Sequence, residues 1–236
     1  MISSKRPPLN LQHEKNAMKT ANQSAQPKVS TKEKILAAAQ EVFSEKGFKG
    51  ASTREIAARA SVNISSLHYH WDSKEVLFTA ILTQVQDQLV SRLTDVVGDR
   101  TPETPVEARR TVEVAMGAAF DFFAEDLTVP RLLMRRMIDG TEDMSEGERE
   151  ALDNSWSTFL DWVRTFTGGK VDPAEATFYM VTIQSVVLVL MLDSPMVSAA
   201  VGGAVEEDSV RQELRQRVIA LVEKLFDVDE ASGRSF

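Results

Sequence analysis

The chain has no cysteine among its 236 residues. That excludes a disulfide framework, a thiolate nucleophile, and any zinc or iron–sulfur site built on sulfur. Histidine is nearly as scarce, with three in all. One of them lies near the N-terminus, so a His-rich metal centre is not expected. Glycine and proline number 11 and 8, too few for a fibrous or low-complexity chain. Long apolar runs are missing too. The longest, 178–192, is interrupted by Thr182, Gln184 and Ser185, and a membrane span takes about 20 residues. Residues 1–26 hold no stretch resembling a secretory signal. No membrane and a cytoplasmic location are therefore expected. No paired carboxylates, Ser/His/Asp order or phosphate-cradling glycine loop stands out, so neither an enzyme nor a cofactor is expected.

What is present is an ordinary globular balance, 43% hydrophobic and 26% charged, with the charge unevenly placed. Residues 1–75 carry 12 Lys/Arg against 7 Asp/Glu, and residues 76–236 carry 15 against 28. A basic head on an acidic body suits a nucleic-acid reader with a separate second domain. Residues 1–29 lack apolar periodicity and hold Lys5, Arg6, Lys15, Lys19 and Lys28 against the single acid Glu14. A disordered basic tail is expected there.

Helical signals begin at Ser30. Ser30 with Glu33, Ser52 with Glu55, and Asp72 with Glu75 have the spacing of capping boxes. Asn63 can cap a short helix from Ile64 to His70. The first helix, with Ile35, Ala39, Val42 and Phe43 in register, is expected to run about 15 residues and end at Gly47, with Phe48 folding back. Two short helices joined by a tight turn and braced by a longer helix to about Val97 make a helix-turn-helix. In the second short helix Leu67 and Trp71 can point inward while Ser65, Ser66, His68 and Tyr69 point out. Beyond this, helices are expected from Pro105 to Glu125, Val129 to Asp139, Ser145 to Thr167, Pro173 to about Leu192 and Glu206 to Phe226. No alternating strand pattern occurs, and the fold class is all-α.

Certain residues carry a family resemblance. They are Ile35-Leu36-Ala37-Ala38-Ala39 with Phe43 and Gly47-Phe48, then Ser52-Thr53-Arg54-Glu55-Ile56-Ala57 and Ala60-Ser61-Val62. Last comes Leu67-His68-Tyr69-His70-Trp71-Asp72-Ser73-Lys74-Glu75-Val76-Leu77. The stretch resembles the N-terminal DNA-binding domain of the TetR family of bacterial transcriptional regulators. The resemblance covers about a fifth of the chain. It implies a helix-turn-helix domain over 30–78, a helical ligand-binding and dimerisation domain over 79–228, and a tail over 229–236. It implies double-stranded DNA as a partner, with Thr53, His68, Tyr69, His70 and Lys74 at or near phosphates and Asn63, Ile64, Ser65 and Ser66 facing bases. His68 stands where a tyrosine is usual and Trp71 where a phenylalanine is usual. Lys74 opens a helix whose dipole disfavours a cation, which supports a phosphate role.

The set Met116, Phe120, Phe123, Met134, Met137, Trp156, Phe159 and Phe178 lies at helical spacing, and such residues are ordinarily core. The resemblance implies a cavity among them for an apolar or amphipathic small-molecule effector. Residues 178–192 are apolar nearly all round and the last helix is amphipathic, which suits a homodimer formed through the last two helices. The function so implied is a ligand-responsive regulator, a repressor by first expectation, binding a palindromic operator. A structural, chromosome-organising DNA-binding protein of the same fold is the alternative; a tightly filled core favours it and an empty cavity favours the regulator.

Overall fold

The fold of the chain is a string of helices, seen in a computed structural model that describes residues 29–98, 102–140, 144–166, 171–192 and 195–231. No strand occurs among the described residues. The first helix, α1 (Thr31–Gly50), starts in a full capping box. Ser30 Oγ accepts from the Glu33 amide, and the Glu33 carboxylate accepts from the Ser30 amide. At Gly47 the backbone turns to φ 70°, left-handed space where a Cβ is costly. Regular α1 stops there, as the sequence suggests, and a further short turn runs on to Gly50. Phe48 does fold back. Its ring lies 6.1 Å from Phe43 and 5.1 Å from Phe78, tying α1 to the long helix α4 (Lys74–Val97).

Between them sit α2 (Thr53–Arg59) and α3 (Ile64–His70). Ser52 caps α2, but the expected reciprocal bond from Glu55 is replaced. The Glu55 carboxylate meets Lys46 at 2.6 Å instead, because α1 brings that ammonium alongside. The turn into α3 passes through Ser61 at φ 55°, and Asn63 Oδ1 accepts from the Ser66 amide at 2.6 Å. The cap of α4 differs from the expected Asp72–Glu75 box. Ser73 is the N-cap, accepting from the Val76 amide, and Asp72 lies outside it.

The rest of the chain forms α5 (Pro105–Glu125), α6 (Thr128–Asp139), α7 (Glu146–Phe166), α8 (Pro173–Leu190), α9 (Pro195–Val201) and α10 (Asp208–Ala231). Short α9 has no counterpart in the sequence expectations, and α10 runs through the first residues expected to be a tail. The residues expected to form the N-terminal tail lie almost wholly outside the described residues, as do 232–236.

One hydrophobic core runs from Ile35, Val42 and Phe43 through Leu67, Leu77, Phe78 and Ile81 to Phe120, Leu132, Leu188 and Leu214. Helix α6 lies along α1. Gln40 Nε2 donates to Asp126 and Thr128 at 2.9 and 2.7 Å, and Arg135 donates to the Glu45 carbonyl at 3.1 Å. The acidic body is therefore joined to the basic head along the whole of one helix, as well as through α4.

Candidate nucleic-acid interface

Helix α3 owes its shape to two anchors and little else. Leu67 is fully buried and Trp71, just past its end, is 7% exposed. Around them Ser65, His68 and Tyr69 stand outward, with Tyr69 84% exposed, and Ser66 and His70 are half-buried. Ile64 is partly exposed at 37%. Such a narrow helix with small and polar residues outward can enter a major groove. The Tyr69 and His70 rings meet edge-on at 5.1 Å, which sets both on one side of the helix. Asn63 sits at the groove-facing start of α3, but its Oδ1 is committed to the cap; only its amide N–H groups are free to read a base. Thr53 opens α2 and is half-buried beside this surface.

Helix α2, which leads into α3, is braced against α1. Arg59 at the end of α2 makes a two-pronged pair with Glu45 at 2.8 and 2.9 Å and reaches Glu41 at 3.2 Å. The hydrogen bonds from Arg59 hold the Glu45 carboxyl below the usual carboxylate range.

Lys74 behaves differently from the expectation based on the helix dipole. Its ammonium does not face open solvent. Nζ donates to the carbonyls of Phe48 and Ala51 at 2.9 and 3.2 Å and sits 4.3 Å above the Phe48 ring. Carbonyls ending one helix thus offset the misfit with the dipole of the next. The dipole argument for phosphate binding loses its force at this position.

Residues 35–81 match the profile of the bacterial regulatory proteins of the tetR family. Over this stretch, about a fifth of the chain, it carries a TetR-type helix-turn-helix domain. The HTH-type transcriptional activator FasR of Mycolicibacterium smegmatis is 34% identical over 107 residues, 45% of this chain and 47% of FasR. The match thus spans about half of that relative. The HTH-type transcriptional regulator RutR of Escherichia coli K12 is 26% identical over 166 residues, 69% of this chain and 76% of RutR. A putative transcriptional regulator, SCO4942 of Streptomyces coelicolor, superposes with a TM-score of 0.59 at 22% identity, over 83% of this chain and 98% of that one. At that identity the likeness is one of fold. The motifs found in sequence cluster on α1 to α4, the helices that the matched stretch spans.

The residues expected to line an effector cavity lie in differing surroundings. Phe120 and Phe123 are closed into the core, and Met116 and Met134 pack against it. Trp156 and Phe159 are half-buried on α7. Met137 and Phe178 are 55% and 67% exposed. A cleft of about 220 Å³ does open elsewhere, between α4, α5 and α10, lined by Val96, Glu113, Val114, Ala118, Asp121, Arg215 and Ile219. None of the eight residues contributes to it. Helical spacing marks a buried stripe, and it does not distinguish a stripe that closes on its neighbour from one that leaves a gap.

Sequence reasoning also missed Lys32. It projects from the first turn of α1 and lies 5.0 Å over the Trp71 ring, next to the outward face of α3. The departure from phenylalanine at Trp71 was its only sequence signal. A second omission is a buried charge pair: Arg136 on α6 meets Glu148 on α7 at 3.2 Å, with side chains 12% and 8% exposed.

Proposed function

We infer that the protein is a DNA-binding transcriptional regulator that engages a palindromic operator as a homodimer, acting in the cytoplasm without enzymatic activity. The observation that carries this reading is α3. It is a short helix with Ser65, His68 and Tyr69 outward, locked from behind by Leu67 and Trp71, within a TetR-family domain. Thr53, His68, Tyr69 and His70 are assigned to phosphates, and Asn63, Ile64, Ser65 and Ser66 to base edges. Domain boundaries near 30–78 and 79–228 fit this division, although α4 runs unbroken through the boundary.

Support for the dimer comes from α8. Its mean hydropathy is 1.4, yet only 17% of it is buried. By length and composition alone it could cross a membrane, but it packs against α5, α6, α7 and α10 within the bundle. Phe178, Val181 and Val189 remain exposed on it, and Leu221 on α10. Covering that surface with a second copy is favourable at roughly 25 cal/mol per Å², and a self-complementary patch gives two-fold symmetry. Two α3 helices about 34–36 Å apart then reach successive major grooves.

Effector control is the finer part of the reading. An apolar or amphipathic molecule that favours a different spacing of the two heads lowers operator affinity by its differential binding. Helix α6, bonded along α1 through Gln40 and Arg135, is the route by which a change in the body reaches the head. The closed packing of Phe120 and Phe123 favours the alternative, a chromosome-organising protein without effector.

Selecting genomic fragments retained by the purified protein, followed by footprinting, tests the reading. Two protected half-sites one helical turn apart, in front of a gene whose transcription changes on deletion of the protein, are expected. Repression or activation follows from the sign of that change. Even coverage of the genome without preferred sites would replace the regulator with the chromosome-organising reading.

A further inference from the structure

Most cations of the head with a fixed position already have a partner. Lys46 meets Glu55, Arg59 meets Glu41 and Glu45, and Lys74 is held by two carbonyls. Lys32 is oriented without a counter-charge. It makes no ion pair among the described residues, and the dipole of α1 disfavours a cation in that first turn. What fixes it is the face of Trp71, 5.0 Å from Nζ. Trp71 caps the end of α3, directly after the exposed Tyr69 and the half-buried His70. The Trp71 indole N–H is buried and has no acceptor among the described residues. The indole is therefore present without the hydrogen bond that usually accompanies a buried tryptophan. Its face, which attracts cations more strongly than that of phenylalanine, is the part in use.

From this we propose that Lys32 is a DNA-phosphate contact and that Trp71 is its positioning residue. The ring holds the ammonium beside the C-terminal end of the recognition helix, where a groove-bound α3 brings a phosphate of the flanking strand. The phosphate supplies the counter-charge that the protein withholds. Lys34 and Arg54, also exposed and without carboxylate partners among the described residues, have no ring or carbonyl to orient them. The inference rests on the DNA-binding reading above, and its test separates the two.

The probe is a fluorescent duplex of about 30 base pairs and random sequence, bound in NaCl from about 50 to about 300 mM by the full chain. Lys32→Ala is expected to lower the slope of log affinity against log salt by about 1 and to weaken binding several-fold at about 100 mM. Lys32→Arg should retain the slope. Lys34→Ala, with the same charge change two residues on, should have a smaller effect. Trp71→Phe should move in the direction of Lys32→Ala with a melting temperature within a few degrees of the parent, since it removes a buried, unpartnered N–H. An unchanged slope for Lys32→Ala, or an equal drop for Lys34→Ala, overturns the contact. A large drop in melting temperature for Trp71→Phe with an intact slope overturns the positioning role. If the unaltered protein fails to bind the duplex even at the lowest salt, the DNA-binding reading itself is lost.

Discussion

Lys74 shows how a polar contact can replace an electrostatic expectation. Its two charge-assisted bonds to Phe48 and Ala51 join the end of α1 to the start of α4. Lys74→Met keeps the stem over the Phe48 ring and removes both bonds. Bonds to a charged group contribute about 1.5–3 kcal/mol each, reduced here because the site is only partly buried. A loss of about 1–3 kcal/mol in urea unfolding is expected. If the variant also lowers the salt slope of DNA binding, Lys74 has a phosphate role besides; a stability loss with an unchanged slope makes it purely structural. Ser30, Ser52 and Asn63 were legible in sequence because a cap is settled within three residues of chain. Lys74 was not, because the carbonyls it serves lie 26 and 23 residues away.

Pairs of helices carry the next level of order. Gly117 on α5 is where Arg215 of α10 crosses. A Cβ there would collide with the guanidinium of Arg215, 2.8 Å from its Cζ. The crossing lets Arg215 Nε reach both oxygens of Asp121 at 3.0 and 3.1 Å, beside the open cleft. Gly117→Ala has two opposed effects. Helix propensity gains up to about 1 kcal/mol, and the displaced, half-exposed ion pair loses up to about 1 kcal/mol. A net change inside about 1 kcal/mol is expected in urea unfolding. A loss above about 3 kcal/mol would mean that the guanidinium has nowhere to go. The helix ends themselves were readable: α3 and α5 fall on their expected residues because Asn63, His70, Pro105 and Glu125 are local punctuation. Which helix lies on which was not readable. Gln40 meets Asp126 across 86 residues, and neither side chain carries a pattern that announces the other. The surroundings of the expected effector set were unreadable for the same reason, since Met137 and Phe178 share the spacing of Phe120 but are exposed where it is buried.

Across the molecule, charge and apolar surface are segregated. The basic head carries α3, and the acidic body carries the uncovered face of α8. Phe178→Asp places a charge on that face. It is expected to leave the fold of a single chain intact, because Phe178 is 67% exposed, and to yield a monomer in sedimentation. Operator affinity should fall sharply, since two linked heads gain from high effective concentration and one head does not. A variant that remains dimeric would move the interface away from α8. The change of charge sign near residue 75 was visible in the sequence. The closed core of the body was not, because composition reports how much apolar material is present and not how well it fits.

The bare side of α8 also bears on how the protein responds to its own abundance. If pairing must precede DNA binding, the active species grows with the square of chain number while the protein is dilute, and only linearly once most chains are paired. Dilution by cell growth would then disarm the switch faster than it removes the protein. A modest rise in expression would re-arm it abruptly, so that one exposed helix face sets a threshold in time as well as a shape in space.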